Sequence, residues 1–220
     1  FDLYSTQAER FMKLLAPLIP DTENGKLLKE WDLRCHPDSK GAMLFESCYR
    51  SLLNIVFGDH GFGRDVIRHI LAETSVWHDY YENFDNVLDR DSSPWFEGKR
   101  REDLYRQALA EGLNVTATRY GDARKIMFAH LLFGGQMPRF LGYDYGPVEL
   151  PGSCATIPQG QIFRVAGRTT TFCPGYRLIA DFGEEGIHTT IAGGPTDRRF
   201  SKWYVSDIEN WRHGNYKILK

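Results

Sequence analysis

The apolar residues of this chain change their spacing part-way along. Up to about residue 128 they recur at intervals of three and four, and from about Gly134 onward at intervals of two. A helix turns once every 3.6 residues and a strand alternates faces at each residue. A sequence that carries the two periods in succession folds as helices followed by strands. The clearest helical stripe is Ala42, Phe45, Tyr49, Leu52, Leu53 and Val56, with Glu46, Arg50 and Asn54 opposite and Gly58 as its stop. Ahead of it, Thr6 reads as an N-cap answered by Glu9, opening a helix with Phe11, Leu14, Leu15 and Leu18 that Pro17 and Pro20 end. Shorter helices are predicted around Leu27, Leu28 and Trp31, and around Val66, Ile67, Ile70 and Leu71. The stretch from Trp77 to Trp95 is polar and aromatic and reads as ordered loop with short helical turns. A last helix is predicted over 99–118, with Leu104, Ala108, Gly112 and Val115 on one side.

The strand half is heavily punctuated, by Gly134-Gly135, Gly142, Gly146-Pro147, Pro151-Gly152, Pro158 and Gly160. After Pro174, residues Tyr176, Leu178, Ala180 and Phe182 alternate with Arg177, Ile179 and Asp181, which marks a strand. Gly183 to Gly186 makes a turn, Ile187 to Ile191 returns as a β-branched strand, and Pro195 ends the pairing. Ser206-Asp207 can cap a short helix carrying Ile208 and Trp211, and Gly214 stops it. The fold class is therefore α+β, with a helical subdomain over 1–128 and a β-rich segment with a C-terminal helix over 129–220.

Composition narrows the function classes. With 42% hydrophobic and 14% aromatic residues in 220, the chain can bury a sizeable core. A net charge of −2 offers no bulk attraction to nucleic acid or to a membrane surface. No apolar run approaches the roughly 18 residues of a membrane span. Cys35, Cys48, Cys154 and Cys173 form no Cys-x-x-Cys pair, which argues against zinc. Cys35 with Cys48 and Cys154 with Cys173 could each close a disulfide in an oxidising compartment, or all four could be plain buried thiols.

One set of residues resembles the end of the penicillin amidase family of N-terminal-nucleophile hydrolases. The family pattern runs Pro-Ser-x-Arg, a hydrophobic strand ending in Asp, Gly-Gly-x-Ser-Gly, Tyr-x-x-Asp, Trp and Gly-x-Tyr. Pro174, Arg177, Asp181, Gly193, Gly194, Tyr204, Asp207, Trp211, Gly214 and Tyr216 stand at the matching places. Thr196-Asp197 replaces the usual Ser-Gly, and Lys202-Trp203 the common Pro-His. Earlier, Glu30-Trp31-Asp32 and Ala42 to Phe45 stand where the family has a Trp-Asp-Gly-like segment and an Ala-x-x-Phe helix. Asp2, Ser5 and Ala8 resemble a family helix with Asp, Ser and Ala at that spacing. Of a Trp-x-Trp-Gly-x-x-His segment only His130 remains, and Ser153 replaces the Asp of a Gly-Asp-x-x-Thr segment.

The resemblance implies a hydrolase of amide bonds in acylated amines, such as penicillin-like or N-acyl lactone compounds. Its nucleophile is a Ser, Thr or Cys at the head of a self-cleaved chain, whose own α-amino group serves as base. It also implies a four-layer αββα sandwich, of which 129–220 supply part, and a bacterial periplasmic or secreted location. Many members hold a structural calcium elsewhere, and no cofactor is expected in this chain. Phe1 carries no nucleophile. The expectation is therefore the C-terminal portion of a longer amidase, a processed chain or cut piece acting as scaffold. Its partners would be the upstream part of its precursor, a small acylated amine and further copies of itself. The alternative is a non-catalytic binding module that has kept the fold, which the lost Trp-x-Trp-Gly segment favours.

No residue is assigned a catalytic, cofactor-binding or metal-binding role. Gly152-Ser153 as a self-cleavage junction would leave too few residues for a catalytic sheet. Asp59, His60, Asp65, His69 and His78 have no metal-ligand spacing. Ser153, His188 and Asp181 make a triad only on paper, without a Gly-x-Ser-x-Gly elbow. His130 reads as a packed core histidine, and Arg177 with Asp181 as a structural ion pair at a sheet edge. Asn114-Val115-Thr116 fits a glycosylation pattern inside a predicted helix, and Arg100-Arg101 and Arg198-Arg199 read as surface charge.

Overall fold

The computed structural model describes residues 2–73, 75–158 and 173–220, with side chains at all of these outside 72–80. Phe1 and Gly160 lie outside the described residues, as does the side chain of His78. The chain is α+β: helices come first and two small antiparallel sheets follow.

Helix α1 spans Thr6–Leu15, and its N-cap is Ser5, whose hydroxyl accepts from the Ala8 amide at 3.1 Å. The cap therefore falls one residue before Thr6, and Glu9 pairs with Lys13 a turn later instead of reaching back. Helix α2 is Glu23–Lys29, capped by Thr22. Helix α3 is Lys40–Leu53 and runs on past Gly58 in a wide turn over Asn54–Phe62. Gly58 does not stop it, because Ile55, Val56 and Phe57 are buried and hold the extra turn against the core. Helix α4 is Arg64–Glu73, α5 is Ser75–Leu88 and α6 is Arg101–Gly112. The loop expected from Trp77 is thus a helix. Its buried stripe includes Asp85 with Leu88, and a carboxylate at a core position hides the period.

Phe11, Leu28, Leu44, Leu52, Leu53, Ile55, Leu88 and Leu104 form the centre of one continuous core among these helices. Gly112 lies against the α3 backbone, where a Cβ would come within 2.4 Å of the Cys48 Cα. This contact lets α6 cross α3 closely. Helix α6 stops there, so Asn114 to Thr116 lie in an exposed turn and not in a helix.

A short helix α7, Tyr120–Ala123, leads into β1, Lys125–Phe128, which pairs antiparallel with β2, Tyr145–Glu149. The second sheet has the order β3-β4-β5, from Tyr176–Ile179, Ile187–Ile191 and Lys217–Leu219. Helix α8, Ile208–His213, ends at Gly214 in the left-handed region. Its Trp211 packs with Ile126, Val148 and Leu150 into a second, smaller core. Both neighbours in β3, Leu178 and Ile179, are exposed, so the strand's alternation does not separate a buried face from a wet one. No helix among the described residues is long and apolar enough to cross a membrane.

Candidate functional site

Two polar centres stand out, the first of them where the two regions meet. The first is a cleft walled by α3, the arm before α1, the segment around Cys35 and a strap around Ser153. The strap is tied down from two sides. The Gly152 amide donates to the Cys35 carbonyl at 2.9 Å, and the Tyr120 hydroxyl donates to the Gly152 carbonyl at 3.1 Å. The Cys35 amide in turn donates to the Leu3 carbonyl at 2.9 Å. Three extended pieces from distant parts of the sequence thus share one seam.

Glu46 forms a floor to the cleft. It binds Arg50 one turn later at 3.0 Å and accepts from Arg124, which is 4% exposed on its side chain. The Arg124 guanidinium also lies 4.2 Å over the Tyr120 ring. Burial pushes the Glu46 carboxyl up, but Arg124 and Arg50 outweigh it and hold the group below the usual carboxylate range. Helical spacing places Glu46 and Arg50 opposite the apolar stripe. They are not a solvent face, because the strand region covers them. Behind the cleft, Asp85 is 2% exposed and accepts from Gln7 Nε2 at 2.9 Å and from the Tyr49 hydroxyl. Burial pushes its carboxyl up to about 6 despite these donors. Burial likewise lifts the Cys35 thiol to about 11 and the Cys154 thiol to about 12. Both are protonated at neutral pH, the inert state of a thiol.

The second centre is built from Asp207 and Trp211. Asp207 accepts from the Ile191 amide at 2.9 Å, Asn210 at 3.1 Å, Lys217 at 3.0 Å and the Thr190 hydroxyl at 3.3 Å. Burial pushes its carboxyl up, but Lys217, Asn210 and the Ile191 amide together hold it below the usual range. Its amide donates to the Gly193 carbonyl at 2.9 Å. At Gly194 a Cβ would meet the Trp203 carbonyl at 1.8 Å, so only glycine fits there. The Tyr204 hydroxyl donates to the Tyr143 carbonyl at 2.7 Å. The Trp211 indole donates to the Pro174 carbonyl at 2.8 Å, while Arg177 lies 4.7 Å over its ring and donates to its carbonyl. Pro174, Arg177, Gly193, Gly194, Tyr204, Asp207 and Trp211 therefore form one lock that binds β3, β4 and α8 together.

A family model described as penicillin amidase matches residues 1–220. The chain belongs to the penicillin amidase family. No curated protein matches it at a significant level. Membership indicates a hydrolase-like function, and the lock gives the family's C-terminal motif a physical role in this chain. Its residues hold the end of the fold.

The remaining sequence candidates fall apart in space. Ser153 accepts from the Ala155 amide at 3.2 Å, His188 pairs with Glu184 at 2.9 Å, and Asp181 caps the Gly183 amide at 2.8 Å. No triad is assembled from them. Arg177 turns to Trp211 while Asp181 lies past the end of β3, so the expected ion pair is replaced by these two separate contacts. His130 is half-buried, and its Nδ1 accepts from the Leu132 and Phe133 amides at 3.2 Å, so it shapes a turn and is not packed in a core. His60 binds Glu97 at 2.6 Å and Lys99 at 3.0 Å, while Asp59 and Asp65 pair with Arg64 and Arg68. Among the described residues no three His, Cys, Asp or Glu side chains are grouped to hold a metal. Arg100 and Arg101 pair with Asp103 and Asp91, and Arg199 lies 5.8 Å from the Phe200 and Tyr204 rings. Sequence reasoning placed Glu46 only opposite the α3 stripe and gave Asp85, Tyr120 and Arg124 no role at a site. The one signal there was a carboxylate at a helical core position, Asp85.

Proposed function

We propose that this chain is the C-terminal portion of a penicillin-amidase-like enzyme that hydrolyses amide bonds of acylated amines. It serves as scaffold, and the nucleophile belongs to an upstream part of the same precursor. Its two regions, 1–128 and 129–220, play different parts. The helices form a self-sufficient body, and the strands join the larger αββα sandwich. One observation carries the reading. Apart from Phe62, Val66 and Val115, the large apolar side chains exposed among the described residues all lie beyond His130. Leu131 is 95% and Phe140 84% exposed, and β3 is apolar on both sides. Large apolar side chains left exposed throughout one part of a chain mark surface that another body covers, and open strand edges mark where pairing continues. The upstream part of the precursor fits both. Without it, further copies of the chain would associate there.

The test is to express this chain with and without the preceding codons of its reading frame and to assay amine release from a panel of acyl amides. Release is expected only when the upstream part supplies a Gly-Ser, Gly-Thr or Gly-Cys junction followed by an oxyanion-stabilising Asn. A frame that lacks such a junction overturns the enzyme reading and leaves a binding module that has kept the fold, the reading that the missing Trp-x-Trp-Gly segment favours.

A further inference from the structure

Sequence order pairs Cys35 with Cys48 and Cys154 with Cys173, but the fold separates both pairs. Cys48 faces α6 at Gly112, and Cys173 packs with the cluster around Trp211. Cys35 and Cys154 instead line the same cleft. Their backbones are held in register by the Gly152 amide on the Cys35 carbonyl, two residues from Cys154. The two sulfurs also share neighbours, since Arg124 and Glu46 act on both and a charge on Cys35 opposes one on Cys154. Cys173 has Arg177 as a charged neighbour instead.

We propose that Cys35 and Cys154 form a disulfide when the protein meets a small-molecule disulfide, stapling the segment before α3 to the strap that leads into the strand region. The step is two thiol–disulfide exchanges. One cysteine gives up its proton to solvent, and its thiolate attacks glutathione disulfide, breaking that S–S bond and expelling one glutathione thiolate, which takes a proton. The second cysteine, deprotonated in turn, attacks the protein sulfur of the mixed disulfide and expels the second glutathione. Two protein thiols are oxidised, one glutathione disulfide is reduced to two thiols, and the chain loses two hydrogens. Because burial keeps both thiols protonated, the exchange is slow at neutral pH and quickens as pH rises. The ring it closes spans most of the helical region, the long-loop case in which a cross-link restricts the unfolded chain most.

The experiment is to incubate the whole chain with oxidised glutathione at alkaline pH, block remaining thiols and map tryptic peptides without reduction. Trypsin puts the four cysteines on four different peptides, 35–40, 41–50, 140–164 and 169–177, so each pairing has its own mass. The expected product joins 35–40 to 140–164. It should melt about 5–10 °C higher than the reduced protein, a gain reversed by reductant and absent from Cys154→Ser. A 35–40 to 41–50 link, a 140–164 to 169–177 link, or four blocked thiols after prolonged oxidation would each overturn the proposal. The map on the unaltered chain decides this even if Cys154→Ser fails to fold.

Discussion

The helical and strand regions of this chain use apolar residues in opposite ways. In the helical region the stripes close on one another, and Phe11, Leu28, Leu44 and Ile55 are fully buried. In the strand region the core among the described residues is Ile126, Val148, Leu150 and Trp211, while Leu131, Leu132, Phe140, Phe182 and Phe200 are all exposed. Apolar burial is the main favourable term in folding, so the first region has its own source of stability. The second relies on the Asp207–Trp211 lock and the seam at Cys35 and Gly152. Polar contacts of this kind contribute modestly on balance but cost much when one partner is lost.

The largest expected effect follows from removing the centre of the lock. Trp211→Ala takes away most of the small core together with the partners of Pro174 and Arg177, and should cost about 3–5 kcal/mol. Hydrogen exchange should then show protection lost in β1 to β5 and kept in α3 and α6. Equal loss in both would mean that the regions unfold as one unit, and the contrast would fail.

A second effect concerns the polar group inside the better core. Asp85 takes its proton at about pH 6 in the folded chain, against about 3.9 in an unfolded one. Between those values the folded state binds the extra proton. This group's contribution is therefore fully present below about pH 4 and lost as pH rises through about 6. The difference amounts to about 2–3 kcal/mol. Asp85→Asn keeps a side chain that Gln7 and Tyr49 can bond and removes the titration. Its stability relative to the parent should improve by about that amount from pH 4 to pH 7 in urea unfolding. A difference that stays flat with pH would show Asp85 to be equally charged throughout.

Smaller again is Gly112→Ala. The added Cβ meets the α3 backbone at Cys48, and the clash should cost about 1–3 kcal/mol despite the better helix propensity of alanine. Stabilisation by this change would show that the α3–α6 crossing is looser than the buried core implies. The least effect is expected at the exposed face, where Phe182→Ser should move stability by less than about 0.5 kcal/mol while lowering self-association in sedimentation velocity. A large loss of stability there would mean that Phe182 is packed in solution.

Legibility cut across that division. The α3 stripe, the returning strand 187–191 and the stop at Gly214 could be read directly, because each rests on neighbouring residues alone. Helix α5 could not, since Asp85 occupies a core position that is tolerable only because Gln7 and Tyr49 arrive from two other helices. Of the cleft nothing was legible. Glu46 and Arg124 are 78 residues apart, and local spacing puts Glu46 on a polar face. The ten motif positions were recognisable in order, yet their role was not, because a lock consists of contacts between segments.

The sequence by itself determined the order of helices and strands, the family, and the local turns and stops, because periodicity, proline, glycine and motif spacing act over a few residues. The tertiary structure decided which polar residues are buried, which cysteines share a cleft and which apolar faces stay open. Those properties depend on what a side chain meets across the fold, and desolvation, ion pairing and packing are set by that meeting.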